Sequence, residues 1–114
     1  MENSKYVYLI SFSESDSQTH YIKIGISVDP KARFTQLQSS SPFNLKKVFQ
    51  IKLNNAYEVE QDILRKFCGY RIRGEWLMIM NKSSHDDISM FRADKEKFIR
   101  VLIKLIKRLG DACE

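Results

Sequence analysis

Cysteine is scarce in this chain of 114 residues: Cys68 and Cys113 stand far apart, with no CxxC pair and no histidine at metal-ligand spacing. That argues against a disulfide framework and against a zinc site, and both side chains read as reduced thiols of a cytoplasmic protein. Long apolar runs are also missing. The longest, "VYLI" and "WLMIM", fall far short of the roughly 20 residues that span a bilayer, so no membrane segment is expected. The opening "MENSKYVYLI" carries an early acidic residue and no apolar stretch of leader length, so secretion is not expected either. No internal repeat, low-complexity tract or linker breaks the chain.

What is present is the composition of a folded protein, with 43% hydrophobic and 29% charged residues. The length suits one domain over residues 1–114. A net charge of +5 favours polyanionic partners.

The pattern along the chain alternates strands and helices. "KYVYLISF" is β-branched and aromatic and predicts a strand. After the polar "SESDSQTH", "YIKIGIS" predicts a second, with Ile22, Ile24 and Ile26 on one face and Tyr21, Lys23 and Gly25 on the other. Asp29 followed by Pro30 starts a helix that runs to about Ser39, and "SSSPFN" ends it. Leu45 to Leu53 predicts a third strand. Asn54 or Asn55 caps a helix over "AYEVEQDILRKF", which a left-handed Gly69 would stop. "GEWLMIM" is a short fourth strand or extended segment, and "ADKEKFIRVLIKLIKRL" is a long amphipathic helix with Phe98, Leu102, Leu105, Ile106 and Leu109 at core spacing.

On the second helix, Glu60 falls near the middle of an apolar face made by Ala56, Tyr57, Val59, Ile63, Leu64 and Phe67. A carboxylate there needs a cation, a metal or a water-filled cleft, because burying one unpaired costs several kcal/mol. Arg33 shares a helix face with Leu37 and borders Phe34, which makes it the natural partner or co-worker of that acid. Tyr8, Tyr21 and Lys23 sit on adjacent strands with parity that suits one shared face.

"YVY" at 6–8, "KIG" at 23–25, an arginine eight residues after that glycine, and a helix with "ExxILxxF" from Glu60 together resemble the GIY-YIG endonuclease superfamily. The run "YIKIGISVDPKARFTQLQ" followed by "RGEWL" is similar to its phage and fungal branch, the meiotically up-regulated gene domains. The resemblance covers about residues 6–80 and leaves 81–114 as a helical C-terminal extension. Tyr6 stands where the first motif has glycine, and Lys23 where the second has its tyrosine; Tyr21, Lys23 or neither takes over that role.

The resemblance implies an α+β fold, a small mixed sheet of three to four strands flanked by helices, and metal-assisted hydrolysis of DNA phosphodiesters with Mg²⁺ or Mn²⁺. It implies Tyr8 as the tyrosine that assists deprotonation of water, Arg33 as the cation that stabilises the transition state, and Glu60 as the single protein ligand of the ion. Those three side chains are expected to converge around an open pocket. Lys23 would lower the Tyr8 pKa or contact a phosphate directly. A phage or mobile-element origin follows from the same branch, hence the cytoplasm of a bacterial host. The alternative is an inactive module of that fold that binds nucleic acid or protein.

Lys97, Arg100 and Lys104 lie opposite the apolar stripe of the last helix and, with Lys31, are the candidate phosphate contacts. That stripe, widened by Ile99, Val101 and Ile103, suits a homodimer as readily as a core. Glu75 is either a second carboxylate near the site or, the favoured reading, a structural partner of Arg71 or Arg73; Trp76 is expected to fill the core, and His20 and His85 to occupy solvated loops.

Overall fold

A computed structural model describes residues 4–13, 19–80 and 95–111. The elements are β1 (Lys5–Ser13), β2 (Thr19–Ser27), α1 (Pro30–Ser39), β3 (Lys46–Leu53), α2 (Ala56–Lys66), a 3₁₀ turn (Cys68–Tyr70), β4 (Arg71–Arg73), β5 (Trp76–Met80) and α3 (Lys95–Leu109). The class is α+β, as the sequence pattern indicates.

The sheet is larger than expected and is not mixed. Five strands pair in the order β3-β1-β2-β5-β4, and every pairing is antiparallel. The reason lies in α1, which carries the chain from β2 past β1, so that β3 runs in the direction of β2 but pairs with the strand between them. The unexpected strand is β4, three exposed residues with no burial pattern to announce them.

The sheet has two unequal faces. Val7, Leu9, Ile22, Ile24, Leu77 and Ile79 point to one, where α2 and α3 cover them with Val59, Ile63, Phe98, Leu102 and Ile106. Burying side chains of this size contributes roughly 1.5–3 kcal/mol each, so this layer is the main core. Tyr8, Ile10 and Leu45 occupy the other face, under Phe34 and Leu37 of α1.

Local chemistry accounts for the helix ends. Asp29 Oδ1 accepts from the Ala32 amide at 3.1 Å and Pro30 fills the first turn, so α1 starts where the sequence places it. Asn55 precedes α2, but its side chain does not cap it; its amide instead donates to Leu109 O (3.0 Å) and accepts from Asp111 N (2.7 Å), latching the end of α3. Gly69 is not the left-handed stop of α2. The helix passes into the 3₁₀ turn, and the glycine with positive φ among the described residues is Gly74, between β4 and β5.

The apolar stripe of α3 goes into the core, Ile99 with it, and leaves Val101 exposed. No helix of the described residues is long and apolar enough to cross a membrane. Cys68 is an exposed free thiol, whereas Cys113 and His85 lie outside the described residues.

Candidate active site

β1 and β2 are registered so that Tyr8 faces Gly25. A Cβ built on Gly25 would overlap the Cζ and Oη of Tyr8, so the bare backbone of residue 25 is the floor on which the phenol lies. The next pairs on this face are Ile10 with Lys23 and Phe12 with Tyr21.

Arg33 comes from the first turns of α1. Its guanidinium stands close enough to the Tyr8 phenol to lower its pKa and donates through Nη1 to Gln36 Oε1 at 3.3 Å, while the residue as a whole stays exposed. The start of α1, fixed by Asp29 and Pro30, sets where this cation stands.

The acids arrive from the other side. β5 begins at Trp76, opposite Lys23, and beyond that pair β2 keeps the hydrogen bond from Ile24 N to Glu75 O at 3.3 Å. Past it Gly25, Ile26 and Ser27 of β2 have no partner on β5. Lys23, 7% exposed, donates through Nζ to Glu75 Oε2 at 2.8 Å and lies 5.8 Å above the Trp76 ring. Glu75 therefore pairs with Lys23 and not with Arg71 or Arg73; Arg71 Nε donates to Gly74 O instead.

Glu60 projects from α2 into the same electrostatic neighbourhood and is 3% exposed. Its Oε1 accepts from Gln61 Nε2 at 3.1 Å, but its Oε2 is buried with no hydrogen-bond partner. Burial above all, and then the charge of the Glu75 carboxylate, push its pKa above the usual carboxylate range; the closeness of Glu75, which a protonated Glu60 can meet as a donor, adds to this, and the Gln61 hydrogen bond and the Lys23 charge oppose it. Of the predicted apolar face around it, Tyr57 departs and is exposed.

The Tyr8 phenol is also raised. Burial is the main cause, the Glu75 and Glu60 carboxylates add to it, and the closeness and charge of the Arg33 guanidinium oppose it. The cation that pulls on this phenol is thus Arg33, where the sequence suggested Lys23; the lysine is spent on Glu75 and acts on Glu60.

The structure therefore brings Tyr8, Lys23, Arg33 and Glu60 together and adds Glu75 to them. The expected open pocket is not there on the Tyr8 and Glu60 side, since both are buried; the cluster meets solvent at Arg33 and the half-buried Glu75. Tyr21 stands apart, four residues along the strand from Gly25, in a stack with Phe12. Lys31 lies at the start of α1, where it lines an open cleft of about 510 Å³ with Tyr6, Lys47 and Gln50. Lys97, Arg100 and Lys104 are exposed on α3, which packs on the opposite face of the sheet. His20 is no loop residue: it is buried on β2, with Nδ1 2.6 Å from Ser13 Oγ. Trp76 packs against the smaller core but is only partly buried.

Sequence reasoning undervalued Glu75. The signal available was its place beside Trp76 at the start of a strand, but its cross-strand reach to Lys23 required the register.

Among the described residues, no three His, Cys, Asp or Glu side chains gather as a metal-binding group. What is present is a pair of carboxylates, one with an unpartnered buried oxygen. A hard divalent ion fits that donor set, because such ions keep several waters and take one or two carboxylates together with substrate phosphates.

Comparison with known families finds a match to the T5orf172 domain over residues 5–98. No curated protein and no solved structure matches the chain.

Proposed function

This chain belongs to the T5orf172 domain family, and from that premise we propose that it is a metal-dependent endonuclease of GIY-YIG type, hydrolysing phosphodiester bonds in DNA. The family is linked with endonuclease-type proteins. One observation carries the reading: Glu60 Oε2 is buried without a partner while a second carboxylate, Glu75, raises the same group's pKa. Burial and the Glu75 charge both disfavour the ionised form of Glu60, and Lys23 is engaged by Glu75, so a further cation at the two carboxylates would relieve Glu60.

Glu60 and Glu75 would hold the divalent ion. When bound, it would supply Lewis acidity towards the phosphoryl oxygens. Arg33, exposed and planar, donates to those oxygens as negative charge gathers on them, the term that is usually largest in such chemistry. Tyr8 is held protonated in the free protein and so orients water or a phosphate oxygen by donating its proton. Burial is the main cause of its raised pKa and the two carboxylates add to it, so positive charge brought to them would remove only that smaller part. Lys23 is a positioning residue, keeping Glu75 beside Glu60 through the 2.8 Å ion pair.

Incubation of the protein with single- and double-stranded DNA, with Mg²⁺ or Mn²⁺ and with chelator, tests this. Cleavage that needs the ion and is lost in Glu60→Ala and Arg33→Ala supports it.

A second reading has its own observation. Tyr8 and Glu60 are 2% and 3% exposed, and such enclosure suits an inactive module of the same fold that binds nucleic acid or protein. Binding without cleavage under every ion would favour it.

A further inference from the structure

Phe12 is the middle ring of a three-ring column. Tyr21 stacks on it with centroids 4.7 Å apart and planes at 19°, and Phe43 with centroids 4.6 Å apart and planes at 10°. Two rings cannot share one face at that separation, so they lie on opposite sides of Phe12. Trp76 meets the same ring edge-on at 5.3 Å, and Lys23 of the acid cluster lies over Trp76. The column therefore stands on the Tyr8 face of the sheet, four residues along β1, or about 13 Å at ~3.3 Å per residue.

Its end ring is open. Phe43 is 46% exposed, although it sits outside any helix or strand, where a large apolar side chain could turn inward. The backbone on both sides of it is pinned. Gln38 Nε2 donates to Phe43 O at 2.8 Å, Gln38 Oε1 accepts from Leu45 N at 2.8 Å, and Phe43 N donates to Ser41 Oγ at 3.1 Å. Pro42 further restricts the approach to Phe43. One glutamine thus fixes the loop in a form that presents the ring, with little ordering left to be done on binding.

The surroundings carry positive charge. Residues 34–50 contain no Asp or Glu, and Lys47 follows Phe43 as an exposed residue of β3, registered with Ile10 on the face that carries Phe12. A flat apolar face next to an exposed cation, Lys47, whose Nζ also donates to Gln50 Oε1 at 2.8 Å, matches a base joined to its phosphate.

We propose that Phe43 is a stacking platform for an unpaired base of a DNA strand, with Lys47 taking an adjoining phosphate, so that this protein engages single-stranded DNA beside the Tyr8–Arg33–Glu60 cluster. The proposal rests on the nucleic-acid reading of that face but not on hydrolysis, and binding measured in chelator separates the two.

The test is fluorescence-anisotropy titration of the full chain, in chelator, with a labelled single-stranded oligothymidylate and with a blunt duplex of the same length. Phe43→Ala is expected to weaken single-strand binding about 5- to 150-fold, the range for losing one stacked base, with duplex affinity unchanged. Phe43→Trp keeps the affinity, and Phe43→Leu, which retains bulk without a π face, behaves as alanine does and replaces it if alanine impairs folding. Lys47→Gln makes the affinity less dependent on salt. Unchanged single-strand affinity in both Phe43→Ala and Phe43→Leu overturns the platform and leaves the nuclease reading standing. Phe43-dependent binding by a protein that never cleaves supports the platform and removes the nuclease. No binding to either DNA in chelator overturns the platform, and cleavage assayed with the ion then decides the nuclease separately.

Discussion

Tyr8 and Gly25 are cross-strand partners, and the phenol occupies the space that a Cβ on residue 25 would need. Gly25→Ala must displace the ring or open the strands, and overpacking of this kind costs about 1–3 kcal/mol. Chemical denaturation should show that loss. The same change in a Tyr8→Ala background should cost much less, because the clash is with the ring itself; equal costs in the two backgrounds would mean that the strand, and not the phenol, demands glycine.

Glu60 makes stability fall as pH rises. Its folded-state pKa is raised, so the folded protein holds that proton more tightly than the unfolded chain, whose glutamate titrates near about 4.3. The penalty is absent below that value, grows as pH rises through the folded-state pKa, and is complete above it. Glu60→Gln should therefore unfold at a higher temperature than the parent at neutral pH in chelator, with the difference vanishing in acid. A glutamine variant less stable than the parent at neutral pH would show that the charged form has a partner.

Arg33 is exposed, and its guanidinium stands close enough to the Tyr8 phenol to lower its pKa. Arg33→Ala should leave the fold intact, move the Tyr8 titration to higher pH in UV-difference spectra, and lower cleavage about 10²- to 10³-fold. Arg33→Lys keeps the charge but not the fork of donors, so it should restore only part of the activity.

Glu75 shares its carboxylate between Lys23, at 2.8 Å, and the neighbourhood of Glu60. Glu75→Gln keeps a hydrogen-bond acceptor for Lys23 but removes one of the two negative charges. Titration calorimetry with Mn²⁺ should show weaker binding than in the parent, with the melting temperature nearly unchanged; equal affinity would remove Glu75 from the ion site.

How much of this was legible depended on the range of the interaction. Asp29–Pro30 fixed the start of α1, and so the position of Arg33, through bonds within one turn. The parity of "YIKIGIS" put Lys23 and Gly25 on the Tyr8 face for the same local reason. Glu60 stood out because an acid in an apolar helix face violates the pattern around it. Contacts set by strand order were not legible: Glu75 meets Lys23 only because β5 pairs with β2, and His20 is buried only because β2 is a central strand. Asn55 looked like a helix cap, yet a partner distant in sequence, the end of α3, competed for its side chain and won.

The account turns on whether Glu60 and Glu75 form a cation site that drives strand cleavage. The most direct measurement is cleavage of labelled DNA against Mn²⁺ concentration, run in parallel for the parent and Glu60→Gln. Cleavage should rise and saturate with the ion in the parent and be absent in the variant, while Mn²⁺ raises the melting temperature of the parent alone. A folded parent that neither cleaves nor gains stability at any ion concentration would contradict it.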